Sequence, residues 1–394
     1  MTILAILSRV PYPLEKGDKL RVFHLLKHLG QNHDIVLFCL NDTTLHPDAI
    51  NQLSTFCKSI HICNISKLNI SQGIINAFIK GLPLQTGYFY NKSAKRKLDK
   101  IINEIKPDHI FCQLVRVAEY VKNIDIPKTI DYQDVFSKGM KRRADISPWY
   151  LKPLFLLEYK RLHKYENRIF DMFDNKIIIS KPDRDLIPHH LNKEITVIPN
   201  GIDTDFFKPS YAIKEYDILF TGNMSYLPNV ISAEMLVKEI LPLLHKKDKT
   251  INLLLAGANP SARVMSLKSK NVTVSGWVED IRSCYNKSSI FVAPMQIGTG
   301  LQNKLLESMA MGMPCVTSKL ANTALGAKEN EEIIVCEKVS EYVDAIWKLK
   351  NDKDFFNKIA IAGQSYVAKN YKWDVQAKIL ENIIKSTVKT CKTR

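Results

Sequence analysis

The chain has 394 residues, of which 45% are hydrophobic and 24% charged, enough apolar material for two packed domains and too much for a disordered chain. Fifty-six Lys and Arg against 40 Asp and Glu leave a net charge of +16, which favours anionic partners such as a sugar nucleotide, an anionic lipid surface or a nucleic acid. No run of 18 apolar residues occurs, and the eight cysteines form no C-x-x-C pair and have no histidine at ligand spacing, so neither a membrane span nor a metal site is expected.

The opening MTILAILSRVPYP has no basic leader and no small-residue cleavage pattern, so it reads as a first strand over residues 3–8 in a cytoplasmic protein. A bend at Pro11 and Pro13 leads to Gly17, and a helix follows in which Val22, Leu25, Leu26 and Leu29 recur at helical spacing. Gly17 either admits a ligand near that helix end or is a simple turn residue. Strands are expected at 34–40 and 59–63 with a helix between them, the βαβ pattern of a parallel sheet. A helix is then expected from 69 to 84. Its residues Ile70, Ile74, Ile75, Phe78, Ile79 and Leu82 share a face, and Lys80, Lys92, Lys95, Arg96 and Lys97 lie nearby. That combination suits either an interfacial helix on an anionic membrane or an ordinary packing helix.

Residues 109–115 and 128–132 read as the last strands of the first sheet, and ligands of open α/β sheets lie beyond such strand ends. Asp131, Asp134 and Ser137 occupy that place, followed by a basic run of Lys138, Lys141, Arg142 and Arg143. Asp131 and Asp134 are candidates for acceptor contact or proton removal, with a helix N-cap as the alternative for Asp134. A helix over 158–173 and a strand over 176–180 precede ITVIPNGIDTDFFKP at 195–209, where the domain boundary is placed. Strand and helix then alternate again, with strands at 216–220, 251–257, 272–278, 290–294 and 314–317 and a last helix from Trp373.

The stretch IFVAPMQIGTGLQNKLLESMAMGMPCV, from Ile290 to Val316, holds the densest chemistry. A strand, a loop Gly298-Thr299-Gly300 and a helix opening at Leu301 follow in order. Leu301, Leu305 and Met309 point to the core, whereas Gly300, Asn303, Lys304 and Glu307 share another side. Free N–H groups at the helix start suit a phosphate. Lys304 opposes the helix dipole there, which a bound anion would explain; an ion pair with Glu307 is the alternative.

These residues also carry a family likeness. Glu307, Ala310, Gly312, Pro314 and Val316, with the PNGID string at Pro199–Asp203, resemble the donor-site helix and the interdomain linker of the family-4 retaining glycosyltransferases. The resemblance implies a GT-B fold, α/β throughout, with two Rossmann-like domains facing each other across a cleft: an acceptor-binding domain over 1–198, a nucleotide-sugar-binding domain over 199–371, and a helix over 372–394 crossing back to the first. It implies donor contacts from Gly17, Gly222, Asn223, Gly257, Trp277, Val278, Thr299, Gly300, Leu301 and Asn303, with Trp277 equally able to be core. Lys304, Glu307 and Asp134 would be catalytic, Glu307 bonding the donor ribose, and Asp131, Arg21 and Ser137 would meet the acceptor.

The activity implied is transfer of a hexosyl-type unit from a nucleotide-diphosphate sugar to a glycan or lipid-linked acceptor in cell-envelope polysaccharide or glycoconjugate synthesis. Retention of configuration, no metal and no cofactor are expected, at the inner face of the plasma membrane. Two departures mark a divergent subgroup: Thr299 stands where the family has its first glutamate, and GNMSYLPN after Phe220 lacks the usual arginine and lysine. The alternatives are a sugar-nucleotide epimerase of the same fold and a catalytically silent sugar-nucleotide-binding protein. A nucleic-acid partner is not expected, since aromatic residues do not interleave the basic runs.

Overall fold

Strand β1 (Thr2–Leu7) is buried from Ile3 to Leu7. Leu4 and Ile6 enter one hydrophobic core, while Ile3, Ala5 and Leu7 enter another, as the two-residue period requires of a strand covered on both faces. β2 (Asp34–Asn41) divides the same way, with Val36, Phe38 and Leu40 on one side and Ile35, Leu37 and Cys39 on the other. In the computed structural model, which describes residues 1–297 and 300–392, both belong to a seven-stranded sheet ordered β3-β2-β1-β4-β5-β6-β7. The remaining strands are β3 (Ser59–Asn64), β4 (His109–Gln113), β5 (Lys128–Gln133), β6 (Asn175–Ile178) and β7 (Thr196–Val197). Every neighbouring pair is parallel. The sheet does not end at β5 as expected, because β6 and β7 pair on beyond it.

The second sheet has six parallel strands ordered β10-β9-β8-β11-β12-β13. They are β8 (Tyr216–Thr221), β9 (Leu253–Ala256), β10 (Val272–Gly276), β11 (Ser288–Ala293), β12 (Cys315–Ser318) and β13 (Ile334–Cys336). The strand order reverses between β8 and β11, and a crevice for ligands forms at the carboxyl ends of strands at such a switch point. The chain divides into two units, Met1–Pro199 with Trp373–Arg394, and Asn200–Lys372.

The Trp373–Lys392 helix packs on the Gly17–Leu29 helix. Trp373, Ala377, Leu380, Ile384 and Val388 fall at helical spacing into the core that also takes Ile3, Ala5 and Leu7. The Trp373 ring stacks on His24 with centroids 4.9 Å apart. On the same helix the buried Glu381 accepts from Lys378 at 2.7 Å and Lys385 at 2.6 Å, and lies 3.0 Å from His33 Nε2. These partners, the Lys378 hydrogen bond foremost, hold its carboxyl down at about 2, against an ordinary value of 4.5. A depressed carboxyl contributes stability that is complete above its unfolded value and disappears as pH falls through its folded one. Thermal unfolding of wild type and Glu381→Gln is therefore expected to differ most above pH 5 and to converge as pH approaches 2. A difference that stays constant over that range would show that Glu381 acts by packing alone.

Candidate functional site

The site of the second unit is built where two strand ends touch. β8 runs into Gly222 and β9 into Gly257, with φ values of 150° and 139°. A Cβ on Gly257 would stand 1.9 Å from the Gly222 carbonyl oxygen, and one on Gly222 would stand 2.6 Å from the Asn229 amide nitrogen. Only glycine fits either place. Beside them opens a cavity of about 420 Å³.

This cavity brings together nine of the residues the sequence singled out: Gly222, Asn223, Gly257, Trp277, Val278, Leu301, Asn303, Lys304 and Glu307. Trp277 is 72% exposed, so it is a cavity wall rather than core, and its open ring is free to stack on a planar ligand. Gly300 lies just outside the lining, its carbonyl accepting from Gln302 Nε2 at 2.9 Å. Thr299 falls outside the described residues.

The Asn303–Ala310 helix starts two residues later than expected, with Gln302 at its N-cap. Leu305, Leu306, Met309 and Ala310 bury one side of it, which fixes the other side toward the cavity. Lys304 sits in the first turn. Its Nζ donates to Asn229 Oδ1 at 2.5 Å and stands 4.5 Å from the centre of the Phe220 ring. Asn229 is itself oriented, because its Nδ2 donates to the Asn223 carbonyl at 2.9 Å. The alternative Lys304–Glu307 ion pair is not formed. Glu307 Oε2 instead accepts from the Tyr285 hydroxyl at 2.7 Å, whose oxygen is also 3.0 Å from Thr221 Oγ1.

Burial pushes the Lys304 ammonium down to about 7, against the pull of Glu307, which raises it. Burial also raises the Glu307 carboxyl, opposed by the Tyr285 hydrogen bond and by Lys304. Burial thus works against the charged form of this lysine, and an anion in the cavity would favour its proton. Asn229, Tyr285 and Thr221 were not singled out from the sequence. The GNMSYLPN string does contain Asn229, but no spacing marks it as the partner of a lysine 75 positions on. Among the described residues no group of three His, Cys, Asp or Glu side chains is placed to hold a metal.

The acceptor-side residues need correction. Arg21 and Asp131 have no exposed side-chain surface and pair with each other at 2.6 Å, and Arg21 Nη1 donates to the Pro199 carbonyl at 3.2 Å. A buried guanidinium must be paired, so these two join β5 to the Gly17–Leu29 helix and have nothing to offer an acceptor. Ser137 is fully buried as well, its N–H donating to Glu166 Oε1 at 3.0 Å. Asp134 is exposed. It is not the N-cap either: Val135 holds that place before the Phe136–Ile146 helix, and Asp134 Oδ1 accepts from the Val135 N–H at 2.7 Å. Gly17 is the first residue of its helix, with open space where a side chain would be.

Because β8 and β9 meet through bare backbone, Gly257→Ala is expected to lower the stability of the second unit by about 1–3 kcal/mol or more, read as an earlier transition in calorimetry. An unshifted transition would mean that the strand ends are not held at this separation.

Residues 19–206 match the family described as Glycosyltransferase Family 4, and residues 215–352 match Glycosyl transferases group 1. An "Uncharacterized 44.6 kDa protein in cps region" of Klebsiella pneumoniae is 23% identical over 398 residues, which cover 94% of this chain and 96% of the relative. Similar solved structures include a sucrose-phosphate synthase from Thermosynechococcus elongatus, with TM-score 0.67, 13% identity, and 98% and 99% of the two chains covered. A glycosyltransferase from Rickettsia africae aligns with TM-score 0.68 at 14% identity, covering 98% of each chain. Anabaena HepE, solved with UDP, aligns with TM-score 0.67 at 14% identity over 98% of this chain and 100% of its own. With one family match across each half, and two parallel-sheet Rossmann-like domains like those of the solved structures, the chain belongs to the group 1, family-4-type glycosyltransferases of GT-B fold.

Proposed function

We propose that this glycosyltransferase moves a sugar from a nucleoside-diphosphate sugar to a glycan or lipid-linked acceptor of an envelope polysaccharide, with retention of configuration and without a metal. One observation carries the reading: the buried Lys304, bonded to Asn229, stands at the head of a helix and lines a cavity at the strand switch point. In this reading the base rests against Trp277 and Val278, and the Glu307 carboxylate accepts from the ribose hydroxyls. The diphosphate lies over Gly222 and Gly257 and meets Lys304 and the N–H groups that open the Asn303–Ala310 helix. Transfer gives the glycosidic carbon oxocarbenium character while the nucleoside diphosphate departs with growing negative charge. A fixed cation and a helix N-terminus meet that charge without reorganising.

HepE has been solved with UDP and with UDP-glucose, which supports a nucleotide-sugar donor here. The cps-region relative supports a capsule-type polysaccharide as the product. For acceptor contact or proton removal we propose Asp134, which is exposed, in place of the buried Asp131 and Ser137. No described helix is long and apolar enough to cross a membrane. We place the protein in the cytoplasm, in peripheral contact with the inner, anionic face of the plasma membrane, where a lipid-linked acceptor would be found.

A panel of nucleotide sugars tested by thermal shift, then with membranes as the acceptor source, is expected to find a donor that releases nucleoside diphosphate only when acceptor is present, chelator notwithstanding. Lys304→Ala is expected to lower that turnover by roughly 100-fold or more with little change in melting temperature. An isomerised sugar nucleotide formed without acceptor would assign an epimerase instead. Wild-type turnover in a folded Lys304→Ala protein would move the diphosphate away from this residue.

A further inference from the structure

We propose that the cavity between the Lys67–Ile79 and Lys92–Ile105 helices of the first unit is a head-group site for an anionic phospholipid, and that the apolar stripe beside it enters the bilayer. This rests on the peripheral membrane contact proposed above and names the group that is gripped.

The expected helix over 69–84 is in fact two. Lys67–Ile79 ends at Lys80, Gly81 turns the chain with φ of 66°, and Leu84–Phe89 follows. The first helix presents three stripes. Gly73 and Ala77 are buried, and a Cβ on Gly73 would lie 2.1 Å from the Gly87 carbonyl oxygen, so the two helices touch backbone to backbone. Leu68, Ile75, Phe78 and Ile79 form the second stripe and are 75%, 58%, 55% and 76% exposed. The apolar face expected from the sequence is thus split: Ile70, Ile74 and Leu82 are half-buried, and only the other members reach solvent. Four large apolar side chains in solvent on a helix of 13 residues call for a partner.

The exposed stripe continues across a neighbouring helix. Arg161, on the Lys152–Phe170 helix, stands 4.7 Å over the Phe78 ring and donates to the Phe78 and Leu82 carbonyls at 3.2 and 3.3 Å. Leu154 and Leu157 lie seven and four residues before it on the same face and are exposed, as is Trp149 just ahead of that helix.

The third stripe, Asn69, Gln72, Asn76 and Lys80, forms one wall of a cavity of about 410 Å³. Facing it are Lys92 and Arg96 from the first turn or so of the Lys92–Ile105 helix. Among the described residues Lys80, Lys92 and Arg96 take part in no ion pair, whereas Lys122 on the same wall is held by Glu119 at 2.7 Å. Three cations without counter-ions around one volume, with amide side chains between them, match a phosphate bearing hydroxyl groups. The apolar stripe lies on the adjoining flank of the same helix. A helix lying in the membrane interface sinks its apolar side about 5–10 Å below the head groups, which sets the amide and cation stripe at phosphate level.

The test is co-sedimentation with phosphatidylcholine vesicles, with and without phosphatidylglycerol. Wild type is expected to sediment only with the anionic vesicles. Lys80→Ala/Arg96→Ala should weaken this by roughly fivefold for each cation removed, and Ile75→Glu/Ile79→Glu should abolish it, both variants melting as wild type does. Lys100→Ala/Lys106→Ala removes the same charge further along the helix and should bind nearly as wild type. Equal losses in the two lysine-removing variants would reduce the effect to diffuse charge and overturn the head-group site. Equal sedimentation of wild type with both vesicle types would keep membrane contact but overturn the site. Wild type that sediments with neither would overturn the membrane reading itself. Saturable binding of free glycerol phosphate with no vesicle binding would make this a soluble-phosphate site and overturn the lipid assignment.

Discussion

A lysine ammonium held between one amide oxygen and a phenyl ring is the interaction on which the second unit's site turns. Taking such a charge out of water is costly, and burial pushes the Lys304 ammonium down to about 7. The surrounding geometry serves to keep it there. Gly222 and Gly257 let the ends of β8 and β9 close together. Asn229, tied to the Asn223 carbonyl, aims its oxygen at the Nζ. The buried side of the Asn303–Ala310 helix prevents the lysine from turning away. Tyr285 completes the arrangement by occupying Glu307, so that acid and base are not spent on each other and both face the same volume.

The first unit uses a buried charge in the opposite sense. Arg21 and Asp131 neutralise each other with no surface exposed, and removing either partner would leave the other uncompensated at a cost of about 3–5 kcal/mol. That pair is architecture. It ties the Gly17–Leu29 helix to β5 at a place where an open sheet would otherwise present ligand-binding groups, and it leaves Asp134 as the exposed carboxylate there. Behind it, Glu166 is buried and pushed up to about 7, mainly by desolvation. Beyond β5 the acidic groups are thus of unlike character: Asp131 is paired and hidden, the buried Glu166 carboxyl is pushed up and Asp134 is open to solvent.

Much of the fold was legible because strands covered on both faces read as unbroken apolar runs. LAIL, IVLFCL, NLLLA and IFVA each proved to be a central strand. β13 escaped notice, since three residues flanked by charge give no period to read. The residues that line the second unit's cavity were legible from glycines at strand ends and from the order of residues in one helix. The burial of Arg21, Asp131 and Ser137 was not, because position beyond a strand end does not reveal whether a side chain turns inward. Asp131 meets an arginine 110 positions away, a pairing that leaves no local trace. The helix over 69–84 shows the same limit from another direction. Its apolar period was real, but Gly81 broke it, and contact through Gly73 and Gly87 decided which apolar residues faced inward.

The charge state of the Lys304 nitrogen can be observed directly. Heteronuclear NMR of the lysine ammonium groups, assigned through Lys304→Arg, follows the Lys304 Nζ as pH is raised with and without a nucleoside diphosphate. In the free protein it is expected to titrate near 7, and with the nucleotide bound its titration should move upward as the anion holds the proton. Titration at the ordinary lysine value of about 10.4, unmoved by nucleotide, would contradict the account.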